Sequence, residues 1–398
     1  MRNSAPCHSE RRAKNPLAVH RGTLRSTLRV TPLCLVLALA ACGGTAAPVS
    51  TGSPAVSAAK PAASSSWSPE LRQVIDAANK EGALQLVWSE STFGGSQGAA
   101  MIESAMNKMF GTNIKIQFQP GEAQPQVANK IILEYKAGEK AVSDVYVGTA
   151  TNFVPLEGDG ALLTIDWPKL LPDRITPEMS EQNQALAVIT GLTGVTYNPK
   201  AIPSQPKTMA DFLKPEWKGK LATTPAGSGF DSLAAKEVWG PEKVMDYMRQ
   251  FANQVAGIIR CGETQRIASG EFPALVLDCT GSEALVWQEK GAPVDFMIPL
   301  DAAQIRYTYL AVPKNATHPA AATLFTVFML TAQGQDISWQ TWRADLHLMP
   351  ESHTKARVDD YQKQGAKFFV LTTPYTIAHP ELNDIRDQIS KLVAKAGR

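Results

Sequence analysis

The sequence predicts an α/β protein built from two lobes that are joined by two crossing strands. Strand-like and helix-like segments alternate along most of the chain, which is the order that builds parallel sheets covered by helices. Two β-rich stretches, 191–203 (GLTGVTYNPKAIP) and 305–313 (IRYTYLAVP), each end in proline and indicate strands that pass between lobes. The 398 residues suffice for two lobes at roughly 100–200 residues per domain. Two crossings predict closure on something held between the lobes.

The first 41 residues are typical of an export signal. Seven basic residues and one acid precede an apolar run, 33–41 (LCLVLALAA), which is shorter than the ~20 residues that span a bilayer. The run ends in Ala40-Ala41-Cys42, which resembles the bacterial lipobox and implies acylation of the cysteine. A core helix that ends in cysteine is the alternative. We expect a signal peptide over 1–41 and a lipid anchor on Cys42.

Composition and charge narrow the function of the remaining chain. Removal of residues 1–41 leaves 32 basic and 36 acidic residues, a net charge of −4. This balance gives no indication of the basic surface that is typical of a nucleic-acid-binding protein. Residues 42–66 are rich in Ala, Ser, Pro and Gly and carry one charge, which predicts a flexible tether. With 44% hydrophobic residues in all, the body can bury a large core.

The first predicted lobe comprises residues 67–190 and 314–398. It opens with a helix that has Ser68 as N-cap and Pro69 in its first turn. Strands and helices then alternate: a strand at 83–88, a helix around 101–109, a strand at 114–118, a helix at 125–137 and a strand at 144–148. The C-terminal part contributes helices at 318–335 and 375–398. Loops after parallel strands are expected to form the ligand crevice.

The second predicted lobe comprises residues 204–304, between the two crossings. Its elements are a short helix at 208–213, a strand within 215–225, a helix after 226–232, a helix at 241–252, a strand at 255–261, a short helix and a strand at 272–279. This order again favours a sheet with helices on its faces. The two lobes are therefore predicted to have the same architecture.

Four short patterns occur in one order along the body of the chain: GVTYN (194–198), WKGKLA (217–222), SGEFP (269–273), and His318-Pro319 with Leu324-Phe325 and Gly334-Gln335. This ordered set resembles extracellular solute-binding proteins of ABC importers, in the group of ferric-iron, thiamine, polyamine and phosphonate receptors. The resemblance implies a two-lobed type II periplasmic-binding-protein fold that closes on a solute and docks on a membrane permease. We expect a periplasmic or cell-surface monomer without a cofactor, anchored through Cys42.

Loops after the predicted strands supply the candidate ligand-binding residues. They are Ser89, Ser91, Thr92, Thr149, Thr151, Gly227, Ser228, Gly229, Arg260, Asp278, Thr280 and, on the return crossing, Tyr307. Hydroxyl and N–H donors, helix N-termini and one guanidinium together favour a small anionic solute. Structural alternatives remain: the Gly-Ser-Gly turn, an ion pair of Arg260 with Glu263 or Asp278, and hinge packing by Tyr307.

Ferric iron is the alternative ligand within the same family. Iron receptors that resemble this chain use a tyrosine pair just after the strand that follows the Gly-Glu-x-Pro turn, but here Asp278-Cys279-Thr280 occupies that place. This departure counts against iron, and no metal site is predicted. Four tyrosines could still supply oxygen ligands: Tyr146, Tyr197, Tyr307 and Tyr309.

The cysteines predict a disulfide. Cys7 and Cys34 leave with the signal, so Cys261 and Cys279 remain beside the acylated cysteine, as a pair in an oxidising compartment. Both lie at strand ends of one β-α-β unit, and neighbouring strands lie ~4.8 Å apart, within reach of a disulfide. Two thiolates binding a soft metal are the alternative, but they lack a nearby His or Met pair.

An enzyme is the alternative of another class. The sequence has no GxxxxGK[ST] loop and no HExxH motif. His347 is the only candidate base outside loops, helix starts and the signal, and it has no evident nucleophile. A secreted hydrolase thus stays open as a hypothesis, while no catalytic residue is predicted.

Overall fold

The computed structural model describes residues 67–225 and 229–396. The predicted signal peptide, the lipid anchor at Cys42, the tether, Gly227 and Ser228 lie outside the described residues. Within the described ranges, no helix is long and apolar enough to cross a membrane.

The helices and strands alternate along the described chain. The helices are α1 (Pro69–Glu81), α2 (Gly95–Phe110), α3 (Gln124–Ala137), α4 (Ala150–Gly158), α5 (Trp167–Leu170), α6 (Phe230–Leu233), α7 (Pro241–Phe251), α8 (Thr264–Ala268), α9 (Ser282–Glu289), α10 (Pro319–Met329), α11 (Ala332–Trp342), α12 (His353–Lys363), α13 (Thr373–Ala378) and α14 (Glu381–Ala396). The strands are β1 (Ala83–Trp88), β2 (Lys115–Pro120), β3 (Tyr146–Gly148), β4 (Ser180–Glu181), β5 (Ala185–Tyr197), β6 (Leu221–Thr223), β7 (Val255–Ile258), β8 (Ala274–Asp278), β9 (Asp295–Met297), β10 (Gln304–Ala311) and β11 (Phe369–Val370).

The N-terminal β-α-β-α-β order is confirmed. The Ser68 hydroxyl accepts the Leu71 N–H at 3.0 Å and caps α1, as predicted for Ser-Pro at a helix start. Strands β1 and β2 pair in parallel, and a parallel bridge joins Leu86 of β1 to Val145 beside β3. The carboxyl ends of these strands therefore open on one side, where α2, α3 and α4 begin.

The two predicted crossings overlap the central strands β5 and β10, which share residues 191–197 and 305–311 with them. All thirteen residues of β5 are buried, and its first part pairs antiparallel with β10. From Gly194 onward β5 pairs with β8 and β9 instead. One continuous strand thus pairs with two sets of partners, and the change of partners falls within the predicted crossing 191–203.

The apolar core divides at the same point of β5. Leu192 belongs to a first core with residues such as Phe153 and Phe325, whereas Val195 belongs to a second core with residues such as Trp217. These two clusters are called the first core and the second core below. A break in the core at a strand that crosses between lobes is the arrangement expected for two bodies that can move as units.

Both predicted C-terminal helices are broken in the structure, so their predicted lengths were wrong. The segment 318–335 forms α10 and the start of α11, because the Thr331 hydroxyl accepts the Gly334 N–H at 3.1 Å and caps a new helix. The segment from Tyr375 onward forms α13 and α14, which are separated at His379-Pro380. Proline disfavours helical conformation in the residue before it.

Helix α14 packs against the second core, not the first. Its buried face contributes Leu382, Ile385, Ile389 and Val393 to the second core. Residues 314–398 were all predicted to belong to the first lobe, and for α14 that prediction needs correction. The chain returns to the second core after β11, which a linear reading of the sequence does not reveal.

Candidate ligand-binding cleft

A cleft of about 460 Å³ lies where β10 meets the N-terminus of α4 and the turn after β8. Its polar lining consists mainly of threonines and charged groups: Thr149, Thr151, Thr280, Thr308, Asp231, Arg306 and Arg386. We call this space the first compartment. It takes residues from both sides of the division of the core, which is the geometry expected of a ligand site between lobes.

Arg306 is the central cation of the first compartment. It lies on β10 opposite Gly191 of β5 and is half-buried. Within residues 67–225 and 229–396 its guanidinium forms no hydrogen bond or ion pair, although Asp231 is near enough to interact electrostatically. Burial lowers the pKa of Arg306, but an arginine stays protonated at any ordinary pH. Its charge is therefore available to a bound anion.

The second arginine of the compartment is already neutralised. Arg386 of α14 donates from Nε and Nη2 to Oδ2 of Asp231, at 2.8 and 2.7 Å. Asp231 is 7% exposed and also accepts the Ser232 N–H. Because this pair cancels, the charged groups of the first compartment sum to +1, carried by Arg306.

The N-terminus of α4 lies at the first compartment. Thr149 is the N-cap, and its hydroxyl and backbone N–H both donate to Oδ1 of Asn152. Thr149, Thr151 and Asn152 all line the first compartment. The positive end of the helix dipole thus lies at the same space as the Arg306 charge, and both favour an anion.

Two glycines allow close approach around this site. A Cβ on Gly191 would lie 3.1 Å from the Arg306 carbonyl oxygen and 3.3 Å from Cγ2 of Thr280. Gly229, with φ of +90°, adopts a left-handed conformation just before α6, which carries Asp231. Gly229, which was predicted to contact the ligand, lines neither compartment and is the N-cap residue of α6.

A second space of about 560 Å³, the second compartment, adjoins the first. Gln124 and Pro125 line both spaces. The other lining residues of the second compartment are mostly apolar, with polar groups at the margin: Val87, Trp88, Ser89, Glu122, Ala123, Val127, Val147, Arg260 and Cys261. Arg260 is exposed and forms no ion pair in the described chain, so neither predicted alternative pairing occurs.

Cys261 and Cys279 form a disulfide in the structure, with Cα atoms 5.6 Å apart. Their strands are not neighbours, contrary to the prediction, because β6 lies between β7 and β8. The cysteines meet because each lies in a turn beyond its strand. Cys279 lines the first compartment and Cys261 lines the second.

Asp278 does not line either compartment, so its predicted ligand contact needs correction. Its buried carboxylate accepts the Thr196 hydroxyl at 2.7 Å and the N–H groups of Gly262 and Cys279. Burial raises the pKa of Asp278, and these hydrogen bonds oppose the rise. The carboxylate holds together the two turns that carry the disulfide.

The segment after β1 is only partly at the cleft. Ser89 lines the second compartment, but Ser91 and Thr92 line neither compartment; both contact the Ser89 hydroxyl. The N-terminus of α2 is capped by Glu90, whose carboxylate accepts the Ser96 N–H at 2.9 Å. The proposed anion site at this helix end is therefore filled by the protein's own carboxylate.

The tyrosines do not converge on one point. Tyr307 borders a small recess with Arg306, stacks on His347 at 5.9 Å, and has its pKa raised to about 12 by burial. Tyr146 and Tyr309 donate to the Gln124 carbonyl and to Glu181, whereas Tyr197 donates to Asp295 beside the second core. In the described ranges, no group of three or more His, Cys, Asp or Glu could hold a metal ion.

The hydrolase hypothesis gains no support from the geometry. Residues 94–98 (GGSQG) match the Gly-x-Ser-x-Gly pattern, but the Ser96 hydroxyl donates to Glu90 at 2.6 Å and has no histidine partner in the described chain. His347 instead shares a 2.8 Å hydrogen bond with Thr190, which is 2% exposed. Neither pair lines the cleft.

Sequence reasoning missed Arg306 and Arg386. Arg306 stands in the return crossing that was singled out, as the one charged residue in IRYTYLAVP, and a lone charge in a buried strand is a usable signal. Arg386 gave no such signal, because its partner Asp231 lies 155 residues away in the sequence.

The comparisons with known proteins agree with this architecture. A family model described as bacterial extracellular solute-binding protein matches residues 101–367. The Fe(3+)-binding periplasmic protein of Serratia marcescens is 26% identical over 149 residues, which are 35% of this chain and 41% of that protein. The chain spans half or less of the length of the curated relatives it matches.

Solved structures match over a larger share of the chain. The substrate-binding protein of an ABC transporter from Agrobacterium tumefaciens has a TM-score of 0.65 at 18% identity, covering 78% of this chain and 94% of that one. Iron-bound HitA from Pseudomonas aeruginosa has a TM-score of 0.60 at 18% identity, covering 77% and 99%. These likenesses confirm the predicted periplasmic-binding-protein fold. Together with the family match, they show that the chain belongs to the bacterial extracellular solute-binding protein family.

Proposed function

We propose that this protein is a lipid-anchored receptor that captures a small anionic solute and delivers it to a membrane ABC permease. The family consists of substrate-binding transport proteins, so binding without catalysis is the coarse function. The anionic character of the solute rests on Arg306, a half-buried guanidinium at the cleft without a carboxylate partner in the described residues. The lipid anchor rests on the sequence around Cys42.

The mechanism is closure of two lobes on the solute. Strand β5 contributes to both cores, the chain passes from the second core to the first at Ala302 and Ala303 just before β10, and the first compartment takes residues from both sides of that division. A ligand that contacts both sides binds the closed form better and shifts the population toward it. The closed form is then the one that a permease would recognise, and release there would complete delivery.

Ferric iron is the competing solute, favoured by the name of the Serratia marcescens relative. The described residues of this chain support it less well than an anion. Three of the four candidate tyrosines already donate hydrogen bonds to protein acceptors, and the tyrosines are spread over both cores. A cationic guanidinium at the centre of the cleft also repels a bare metal cation.

A thermal-shift screen tests the proposal. The protein is heated with phosphate esters, phosphonates, carboxylates, ferric salts with and without citrate, thiamine and polyamines. A ligand at 100 times its Kd stabilises by about 2.7 kcal/mol, and each kcal/mol raises Tm by roughly 2–4 °C. We expect a shift with an organic anion that the Arg306→Gln variant abolishes. A shift with iron or polyamines alone would overturn the anionic solute.

A further inference from the structure

The two compartments adjoin each other along two elements of the structure. On one side the first turn of α3 supplies Gln124 and Pro125 to both spaces. On the other side the disulfide supplies Cys279 to the first compartment and Cys261 to the second. The two compartments therefore adjoin at these residues, and a ligand that occupies both has to pass between Gln124, Pro125 and the disulfide.

The second compartment differs from the first in its chemistry. Its base is formed by Val87, Trp88, Val127 and Val147, all at least nine-tenths buried. Little of these four side chains is exposed, so the gain in free energy on binding comes mainly from an apolar group of the ligand, whose own surface leaves water when it lies against them. A bare inorganic anion has no such group.

The two compartments also differ in net charge. The first carries a net charge of +1 from Arg306, since Asp231 and Arg386 cancel. The second has one acid and one base at its margin, Glu122 and Arg260, and both side chains are exposed. The second compartment is therefore neutral overall, and it offers no reason to hold a second anionic group.

We infer that the solute is an organic anion with an apolar body, with its anionic group at Arg306 and its body against Val87, Trp88, Val127 and Val147. This inference rests on the proposed function and names the solute class that the cleft takes. The anionic group is a carboxylate or a phosphate monoester. Guanidinium and hydroxyl donors form the same type of hydrogen bond to the oxygens of either group. The neutral, mostly apolar second compartment favours an uncharged, apolar body for the rest of the ligand.

The test is a chain-length series measured by calorimetry on the whole protein. Inorganic phosphate and ethyl, butyl and hexyl phosphate form one arm, and acetate, butyrate and hexanoate form the other. Each methylene that enters the second compartment is expected to raise affinity roughly fourfold. An affinity that is flat along both arms overturns this inference and leaves the anion receptor standing. Absence of binding in both arms overturns the proposed function and this inference together.

A filled second compartment provides the matched variant. Ala123 is exposed at the start of α3 and lines only the second compartment, so Ala123→Trp is expected to remove the chain-length dependence. Asn129→Trp places the same side chain at an exposed position of the same helix and should leave the whole series unchanged. Retained chain-length dependence in Ala123→Trp would overturn the placement of the body.

Tryptophan fluorescence gives an independent measurement on the unmodified cleft. Hexyl phosphate is expected to change the emission of Trp88, whereas inorganic phosphate does not reach it. The Trp88→Phe variant should lose the difference between the two compounds. Equal spectral changes with hexyl phosphate and inorganic phosphate would contradict the inference.

Discussion

Arg306 and Arg260 are two cations of one cleft with different surroundings. Each lines a compartment, and neither forms an ion pair within the described chain. Arg306 is half-buried on a central strand, whereas Arg260 is exposed beyond the end of β7. Water can solvate Arg260 fully, so it gains little from a ligand. Arg306 has lost part of its hydration, and within the described chain no hydrogen bond or ion pair replaces the lost water.

This difference in burial indicates which of two unpaired charges belongs to a ligand-binding site. A charge at the surface is screened within about 8 Å at physiological salt, and exposed pairs contribute roughly 0–1 kcal/mol. A partly desolvated guanidinium interacts more strongly because the effective dielectric constant is lower. An arginine also cannot escape the cost by losing its proton. Arg306 therefore depends on an anion more than Arg260 does.

The largest expected effect comes from removal of each cation in turn. Arg306→Gln should weaken binding of the best anion by roughly 100- to 1,000-fold, since truncation of one partner of a buried charge pair costs about 2–5 kcal/mol. Arg260→Gln should weaken it less than about fivefold, the range of exposed pairs. Calorimetry at 0.15 M salt measures both. Equal losses would show that burial does not distinguish the two arginines.

Removal of the disulfide tests whether ligand binding in both compartments depends on this shared wall. Cys261 and Cys279 are 18 residues apart, and a loop of that length predicts a loss of about 3 kcal/mol in the free energy of unfolding when the bond is absent. The double variant Cys261→Ser, Cys279→Ser should unfold at correspondingly lower denaturant. Affinity for hexyl phosphate should fall as well, because both compartments lose the wall.

Reduction of the unmodified protein provides the control for this prediction. A reductant should lower its stability to that of the double serine variant, and should leave the variant itself unchanged. If reduction affects both proteins alike, the loss does not come from this bond.

Local patterns in the sequence predicted much of the fold. The Ser68-Pro69 cap, the strand β1 and the crossing strands follow from the residues next to one another, which is why they could be predicted. The two helix breaks at Thr331 and Pro380 also had local signals, a capping threonine and a proline, that were outweighed by the apolar periodicity of the runs.

The site was harder to predict because it depends on contacts that are distant in the sequence. Arg386 is held by Asp231 through the packing of α14 on the second core, and no local pattern encodes that packing. Thr149, Thr151 and Thr280 were found because they follow strands, where crevices form. Asp278 follows the same rule but turns inward to two N–H groups, and only the three-dimensional course of the turns shows this.

A substitution with a smaller expected effect compares Arg306 with the second arginine of the first compartment, Arg386. Asp231→Asn removes the acid that cancels Arg386, so two guanidinium groups become available to the ligand. Anion affinity is expected to rise roughly tenfold, about 1.4 kcal/mol, as a close charge–charge interaction at an intermediate dielectric constant allows. Calorimetry with butyl phosphate measures it.

Asp246→Asn is the matched control for that change. Asp246 also pairs with an arginine, Arg249, but on the exposed face of α7 and away from both compartments. Its loss should leave affinity unchanged. A fall in affinity in Asp231→Asn would mean that the Asp231 pairing holds Arg386 in the orientation that binds the ligand.

The smallest expected effect concerns a buried acid, Glu157. Unlike Arg306, it can lose its charge within the ordinary pH range by binding a proton. Both carboxylate oxygens of Glu157 are buried without a hydrogen-bond partner in the described chain, and burial followed by the nearby Glu181 raises its pKa from 4.5 to about 7. The folded protein then binds more protons than the unfolded chain between these two values. Stability should therefore fall as pH rises from about 4.5 to about 7, and level off above it.

Because the Glu157 side chain is only partly withdrawn from water, solvent screening reduces the expected loss to roughly 1 kcal/mol. Urea unfolding between pH 5 and pH 8 measures it, and Glu157→Gln should remove that part of the slope, whereas Glu139→Gln at an exposed position should not. An unchanged slope in Glu157→Gln would show that the acid is ionised in the folded state. In that case an unpaired buried charge persists outside the cleft, and the absence of a partner at Arg306 would lose its weight as evidence for a ligand.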